Sequence, residues 1–276
     1  MMESYILLVL FVLIAGCAWW LKRLPHGSGH AQKTAGNPIG TCMTIGDREL
    51  QQDQMGTALG DAGAIMVLAD GIGRGQGGRI AARITVDTFL DLYNEYQAFD
   101  KPQYYFRRAF QAANHKILNY LEERQGEAAA AVALVLDDTL YYAVVGDVRL
   151  AVYRQGDLVP VSEGQTIDIM AKHCYEKGNI SKQAALSFLD EHRRYNFLGR
   201  DDFQDIEYFS KPMKLRKGDA VLLMTDGVFP AIRWVDIEDQ LKAPGTSKEK
   251  AYRIIEAVNQ SKAAEKDNAS VIIYQN

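Results

Sequence analysis

Cysteine is scarce in this chain of 276 residues, with three in all: Cys17, Cys42 and Cys174. The number is odd, the spacing is wide and no C-x-x-C occurs. That argues against a disulfide framework and against a thiolate zinc site, and it fits a reducing compartment for the folded part. Histidine offers no substitute, because its five residues (26, 30, 115, 173 and 192) are scattered. Blocks rich in Lys and Arg are also missing, and the formal net charge is −4. No basic field therefore draws nucleic acid to the protein.

Long apolar runs are limited to one, at residues 5–21, "YILLVLFVLIAGCAWWL". As a helix its roughly 17 residues would rise about 26 Å, short but adequate for a thin bilayer. Trp19 and Trp20 suit the membrane interface, and Lys22 and Arg23 follow at once. The positive-inside rule then places the rest of the chain in the cytoplasm. A cleaved signal peptide would begin with basic residues, and "MMES" has none. "IAGC" is similar to a lipoprotein processing box, but it too lacks a basic leader. Residues 1–22 are thus expected to be a transmembrane anchor. Residues 23–40, rich in Gly, Pro, Ser and His, are expected to be a flexible linker. Residues 41–276 form the expected folded domain.

The full chain is 47% hydrophobic and 24% charged, enough for a sizeable core. Apolar stretches at 41–46, 55–60 and 64–69 predict three early strands. Val86, Phe89, Leu90 and Tyr93 recur at helical spacing, as do Phe106, Phe110, Ala113, Ile117 and Leu121. Stretches 130–136, 139–146 and 149–155 read as consecutive antiparallel strands. A broken helical stretch over 167–188, a strand at 220–225, a helix carrying Ala251, Ile254, Ile255 and Val258, and a strand at 270–274 complete the pattern. Strict βαβ alternation is absent, so the class is α+β.

Residues 67–78, "VLADGIGRGQGG", pose the central question. Gly73, Gly75 and Gly78 spell G-x-G-x-x-G, a phosphate-cradling pattern, but that pattern needs parallel strands joined by helical crossovers. Asp70 offers another reading. Asp53, Asp70, Asp147, Asp226 and Asp267 all fall where an apolar strand begins or stops. A lone Asp-Gly is ordinarily a turn. Several acids brought to one place would repel one another and take up protons, unless hard divalent cations with oxygen ligands hold them. The carbonyl of Gly71 is a further candidate ligand.

In order and spacing these motifs resemble the metal-dependent protein phosphatases of the PP2C (PPM) type, in their compact bacterial form. "GDRELQQDQ", "VLADGIGRGQGGRIAA", "VVGDVRLAVYRQGDLVPVSEGQT", "LRKGDAVLLMTDGVFPAI" and "DNASVIIY" carry the likeness over roughly residues 41–275. The resemblance implies a four-layer α-β-β-α sandwich of two antiparallel sheets flanked by helices. It implies two or three Mn²⁺ or Mg²⁺ ions held by Asp53, Asp70, Gly71, Asp147, Asp226 and Asp267, with the third at Asp147 and Asp226. Gln52 and Asn268 would support them from behind. Arg48 would grip the substrate phosphate through its planar fork. Hydrolysis of phosphoserine and phosphothreonine would proceed by a water activated between two ions, with Asp70 and Asp226 central. Ile72 stands where eukaryotic members have a histidine proposed as general acid. Residues 166–200 resemble the family's flap, in which Arg193, Arg194 and Arg200 either attract phosphopeptides or form an ordinary solvated face. The resulting expectation is a monomeric, membrane-anchored cytoplasmic phosphatase acting on phosphorylated proteins and opposing a Ser/Thr kinase. An inactive membrane-tethered phosphoprotein-binding module and a hydrolase of small phosphate esters are the rival readings.

Overall fold

The computed structural model describes residues 37–276 apart from 61–62, 96–99, 122–125 and 204. The expected anchor, most of the expected linker and Cys17 lie outside the described residues. Among the described residues no helix is long and apolar enough to cross a membrane.

Eleven strands and six helices follow one another in the described part. The strands are β1 (Ile39–Thr44), β2 (Gln54–Gly60), β3 (Gly63–Ile72), β4 (Glu127–Leu136), β5 (Thr139–Val145), β6 (Arg149–Arg154), β7 (Asp157–Pro160), β8 (Glu207–Tyr208), β9 (Met213–Lys214), β10 (Ala220–Met224) and β11 (Ala269–Gln275). The helices are α1 (Gly77–Glu95), α2 (Pro102–Leu121), α3 (Ile167–Glu176), α4 (Lys182–Leu186), α5 (Trp234–Lys242) and α6 (Ser247–Gln260). One sheet runs β1-β11-β10-β6-β7 and the other β2-β3-β4-β5-β8, with β9 also paired to β5. Every pairing is antiparallel.

Side-chain alternation explains the layers. On β10, Val221 and Leu223 join the core between the sheets, while Ala220, Leu222 and Met224 face α5 and α6. The same period of two appears on β11, where Ile272 faces inward and Val271 and Ile273 outward. α6 presents Ala251, Ile254, Ile255 and Val258 to that outer face, and its start is fixed by a Thr246–Glu249 capping box. On the other flank, α1 and α2 cover the β2–β5 sheet. Phe89 of α1 meets Phe110 of α2 edge to face, with centroids 4.7 Å apart. Both rings are fully buried, each contributing about 1.5–3 kcal/mol by leaving water. The result is the expected sandwich of two antiparallel sheets between helix pairs.

Several elements differ from expectation. β1 begins at Ile39, two residues before the predicted stretch. β3 continues to Ile72, so Asp70 lies within the strand's last turns of pleat rather than after its end. α5 has no helical stripe in the sequence long enough to announce it. Tertiary contacts fix it: the Trp234 indole N–H donates to the Leu158 carbonyl at 2.6 Å, and Glu238 Oε1 accepts from the Leu158 N–H at 2.9 Å. β8 and β9 are two-residue strands that exist because β5 offers an open edge.

Candidate metal centre

Asp70 is delivered by β3, which pairs antiparallel with β2 and β4 on both sides. That geometry removes the dinucleotide reading of the glycines, which requires parallel neighbours. Gly71 and Gly78 serve close packing instead. A Cβ on Gly71 would sit 2.3 Å from the Gly78 carbonyl oxygen and 2.6 Å from that of Gln52. The chain after Asp70 therefore lies tight against the start of α1. Gly227 does the same after Asp226, where a Cβ would fall 2.0 Å from the Asn268 oxygen. This contact brings the end of β10 beside the turn before β11.

Three of the predicted acids meet. Asp70, Asp147 and Asp226 each offer an oxygen within 4.8 Å of the others. Asp53 lies behind them, fully buried in front of β2. Its Oδ2 accepts from Thr225 Oγ1 at 3.0 Å and Ser270 Oγ at 2.7 Å. Its Oδ1 is buried and has no hydrogen-bond donor among the described residues. Asp70, Asp226, Asp267, Gly71 and Arg48 line one open cleft of about 480 Å³. Asp147 and Asp226 also line a second, of about 370 Å³, so the cluster is accessible from two approaches.

The electrostatics follow from burial. Removal from water pushes Asp226 up to about 7, with the neighbouring Asp147 charge adding to the effect. Asp53 is raised to about 6, mainly by burial. Asp70 is pushed well up by burial and by the charges of Asp226 and Asp53. Asp147 is raised by burial against the pull of Arg194. Four acids held in this state are a poor design for stability and a good fit for hard divalent cations, since the donors are all oxygen and Asp53 Oδ1 lacks a partner.

Asp267 is placed differently. It lines the cleft, but its carboxylate is gripped by Arg48, with Nε to Oδ1 at 2.8 Å and Nη2 to Oδ2 at 2.7 Å. Gln52 and Asn268 brace the surroundings. The Gln52 amide donates to the Gly73 and Gly75 carbonyls at 3.1 Å each. Asn268 Oδ1 accepts the Gln52 N–H at 2.7 Å, and its Nδ2 donates to the Ile45 carbonyl at 2.9 Å.

The basic group of residues 193–200 divides. Arg193 is exposed and pairs with Glu191, and Arg200 pairs with Asp202. Arg194 turns inward, its Nη1 donating to Asp70 Oδ2 at 2.7 Å and Asp147 Oδ1 at 3.2 Å. Sequence reasoning named Arg194 only as part of a surface charge group, because no apolar periodicity marks which of the three arginines points in. Thr225 and Ser270 were missed as partners of Asp53. Thr225 directly precedes Asp226 and Ser270 lies two residues after Asn268, and that proximity was the available signal.

The protein phosphatase 2C sequence pattern matches residues 43–267. The chain belongs to the protein phosphatase 2C family. Among relatives, the serine/threonine phosphatase stp of Listeria welshimeri is 25% identical over 218 residues, which span 76% of this chain and 84% of that one. The solved serine/threonine phosphatase of S. agalactiae matches with a TM-score of 0.73 at 20% identity, covering 86% of this chain and 99% of its own. The catalytic domain of the serine threonine protein phosphatase PstP, solved in complex with 2 manganese ions, gives 0.67 at 20% identity, with coverages of 86% and 96%. At such identities the structural likeness establishes a shared fold, and this phosphatase 2C fold puts the acids of four separate segments at one end of the sandwich.

Proposed function

We propose that this family member is a metal-dependent protein serine/threonine phosphatase, using Mn²⁺ or Mg²⁺ held by Asp70 and Asp226, with the Gly71 carbonyl, Asp53 and Asp267 contributing around them. The single observation that supports it is the convergence of Asp70, Asp147 and Asp226 within 4.8 Å of one another, with a buried carboxylate oxygen of Asp53 left without a hydrogen-bond donor. Divalent ions bound there supply Lewis-acid charge and lower the pKa of water. The chain's own residues do the rest. Asp53 Oδ1 is a buried acceptor without a hydrogen-bond donor, suited to orienting a water. Arg48 presents its fork at the rim, and its two-point grip on Asp267 is the geometry that also fits two oxygens of a phosphate. Ile72 carries no proton to give, so it is not the acid that protonates the leaving serine or threonine oxygen. No cysteine takes part. The likeness of residues 5–21 to a membrane span supports tethering of the catalytic domain on the cytoplasmic side, next to substrates of a Ser/Thr kinase that it opposes. Deleting residues 1–36, which ends before the first strand, should then move the protein from the membrane to the soluble fraction.

Turnover of phosphoserine and phosphothreonine peptides tests the reading. EDTA should abolish it and Mn²⁺ restore it, and Asp226→Asn should lower it by about 10²-fold or more. Turnover that survives both treatments would refute the metal mechanism. Tight phosphopeptide binding without turnover would establish a binding module instead, and turnover confined to small phosphate esters a different hydrolase.

A further inference from the structure

Arg194 is a permanent cation inside the acid cluster, and the fold holds it there from both sides. Before it, Gln165 is fastened to the residue preceding Asp147: its N–H donates to the Gly146 carbonyl at 2.7 Å, and its Oε1 accepts the Gly146 N–H at 2.8 Å. Thr166 and Arg194 then pair as an antiparallel bridge, flanked by Ile167 N–H to Arg193 O at 2.9 Å and Tyr195 N–H to Gln165 O at 3.1 Å. After it, Asn196 Nδ2 donates to Gln165 Oε1 at 2.7 Å. Leu198 exchanges both backbone hydrogen bonds with Ala128, at 2.8 and 3.1 Å. Ala128 neighbours Ala129, the cross-strand partner of Asp70. The ribbon is thus pinned next to each of the two acids that Arg194 bonds.

The charge it brings is fixed. A guanidinium does not lose its proton in a protein, so these acids cannot be relieved by neutralising their partner. Arg194 uses one oxygen of Asp70 and one of Asp147 and makes no hydrogen bond to Asp226. The second oxygens of Asp70 and Asp147 and the Asp226 carboxylate are not bonded to Arg194; Asp70 and Asp226 line the 480 Å³ cleft together with Arg194, whereas Asp147 does not.

We propose that Arg194 is the resident counter-cation of this cluster and that it, rather than a divalent ion, satisfies Asp147. The inference rests on the metal-dependent reading above and sharpens it: the protein loads two ions, and Arg194 stands where a third would bind. Arg194 is therefore a positioning residue that keeps Asp70 and Asp147 in place before and after loading.

Ion stoichiometry tests this without reference to turnover. The full chain is dialysed against millimolar free Mn²⁺ and its bound metal counted, with circular dichroism confirming the fold. The wild type should hold two ions. Arg194→Met and Arg194→Gln, both neutral, should gain a third that binds at least about tenfold more tightly than any third ion in the wild type. Asp147→Asn in the wild-type background should leave the count at two, and combining it with Arg194→Met should remove the gained ion. Arg193→Met, on the exposed side of the ribbon, should match the wild type. Loss of an ion in Asp147→Asn, three ions in the wild type, or neutral variants that bind as the wild type does would each overturn the proposal. A folded wild type that binds no ion would overturn the metal-dependent reading as well, which separates the two failures.

Discussion

The site has two zones built from one residue type. At its floor, Asp53, Asp70 and Asp147 are buried and Asp226 is partly buried, and all four carry raised affinities for protons. At its rim, Asp267 is 43% exposed and already paired with Arg48. The contrast shows that burial, not the presence of an aspartate, creates the demand for external cations. Water and one arginine suffice at the rim. At the floor one arginine, Arg194, meets four acids, and the remaining charge calls for divalent ions.

The largest effect should come from moving a floor acid without changing it. Gly71→Ala places a methyl against backbone on two sides, so it should destabilise the protein by about 1–3 kcal/mol. By shifting Asp70 it should also cut turnover by about 10²-fold. Thermal denaturation and phosphopeptide assays check both. Wild-type behaviour in this variant would mean that the close approach does not position Asp70.

The next effect concerns pH. Asp226 has a folded value of about 7, above the roughly 3.9 of an unfolded aspartate. The folded state then binds the proton more tightly, so the stabilisation is complete below about pH 4 and is lost as pH rises through 7. Chelated protein should melt at progressively lower temperature from pH 5 to pH 8, and Mn²⁺ should reverse that loss at pH 8. A melting temperature independent of pH in the chelated form would place the floor acids in water.

The smallest effect belongs to the rim. Arg48→Ala should change stability by less than about 1 kcal/mol, since the Arg48–Asp267 pair is half exposed. It should raise KM for a phosphopeptide by about tenfold through the lost fork. A larger change in melting temperature than in KM would make Arg48 structural.

The two zones were also unequally legible in the sequence. These acids are visible because a continuous apolar run of sequence stops at each of them, so Asp70, Asp147 and Asp226 could be expected to share one end of the sheets. The closing strand and the helix before it were equally plain from their apolar spacing. The bidentate seizure of Asp267 by Arg48 was not readable, because it joins residues 219 positions apart on exposed turns. Arg194 was hidden for a related reason. Its orientation is set by hydrogen bonds of Gln165, Asn196 and Leu198 to other segments, and such long-range pinning leaves no local pattern. α5 was obscured in the same way, its position decided by contacts of Trp234 and Glu238 with β7.

The most direct test of the account is anomalous diffraction at the manganese edge from crystals grown with Mn²⁺. The account predicts two peaks in the cleft, both within about 2.5 Å of oxygens of Asp70 or Asp226. Well-ordered crystals with manganese elsewhere, or with none beside those two acids, would contradict it.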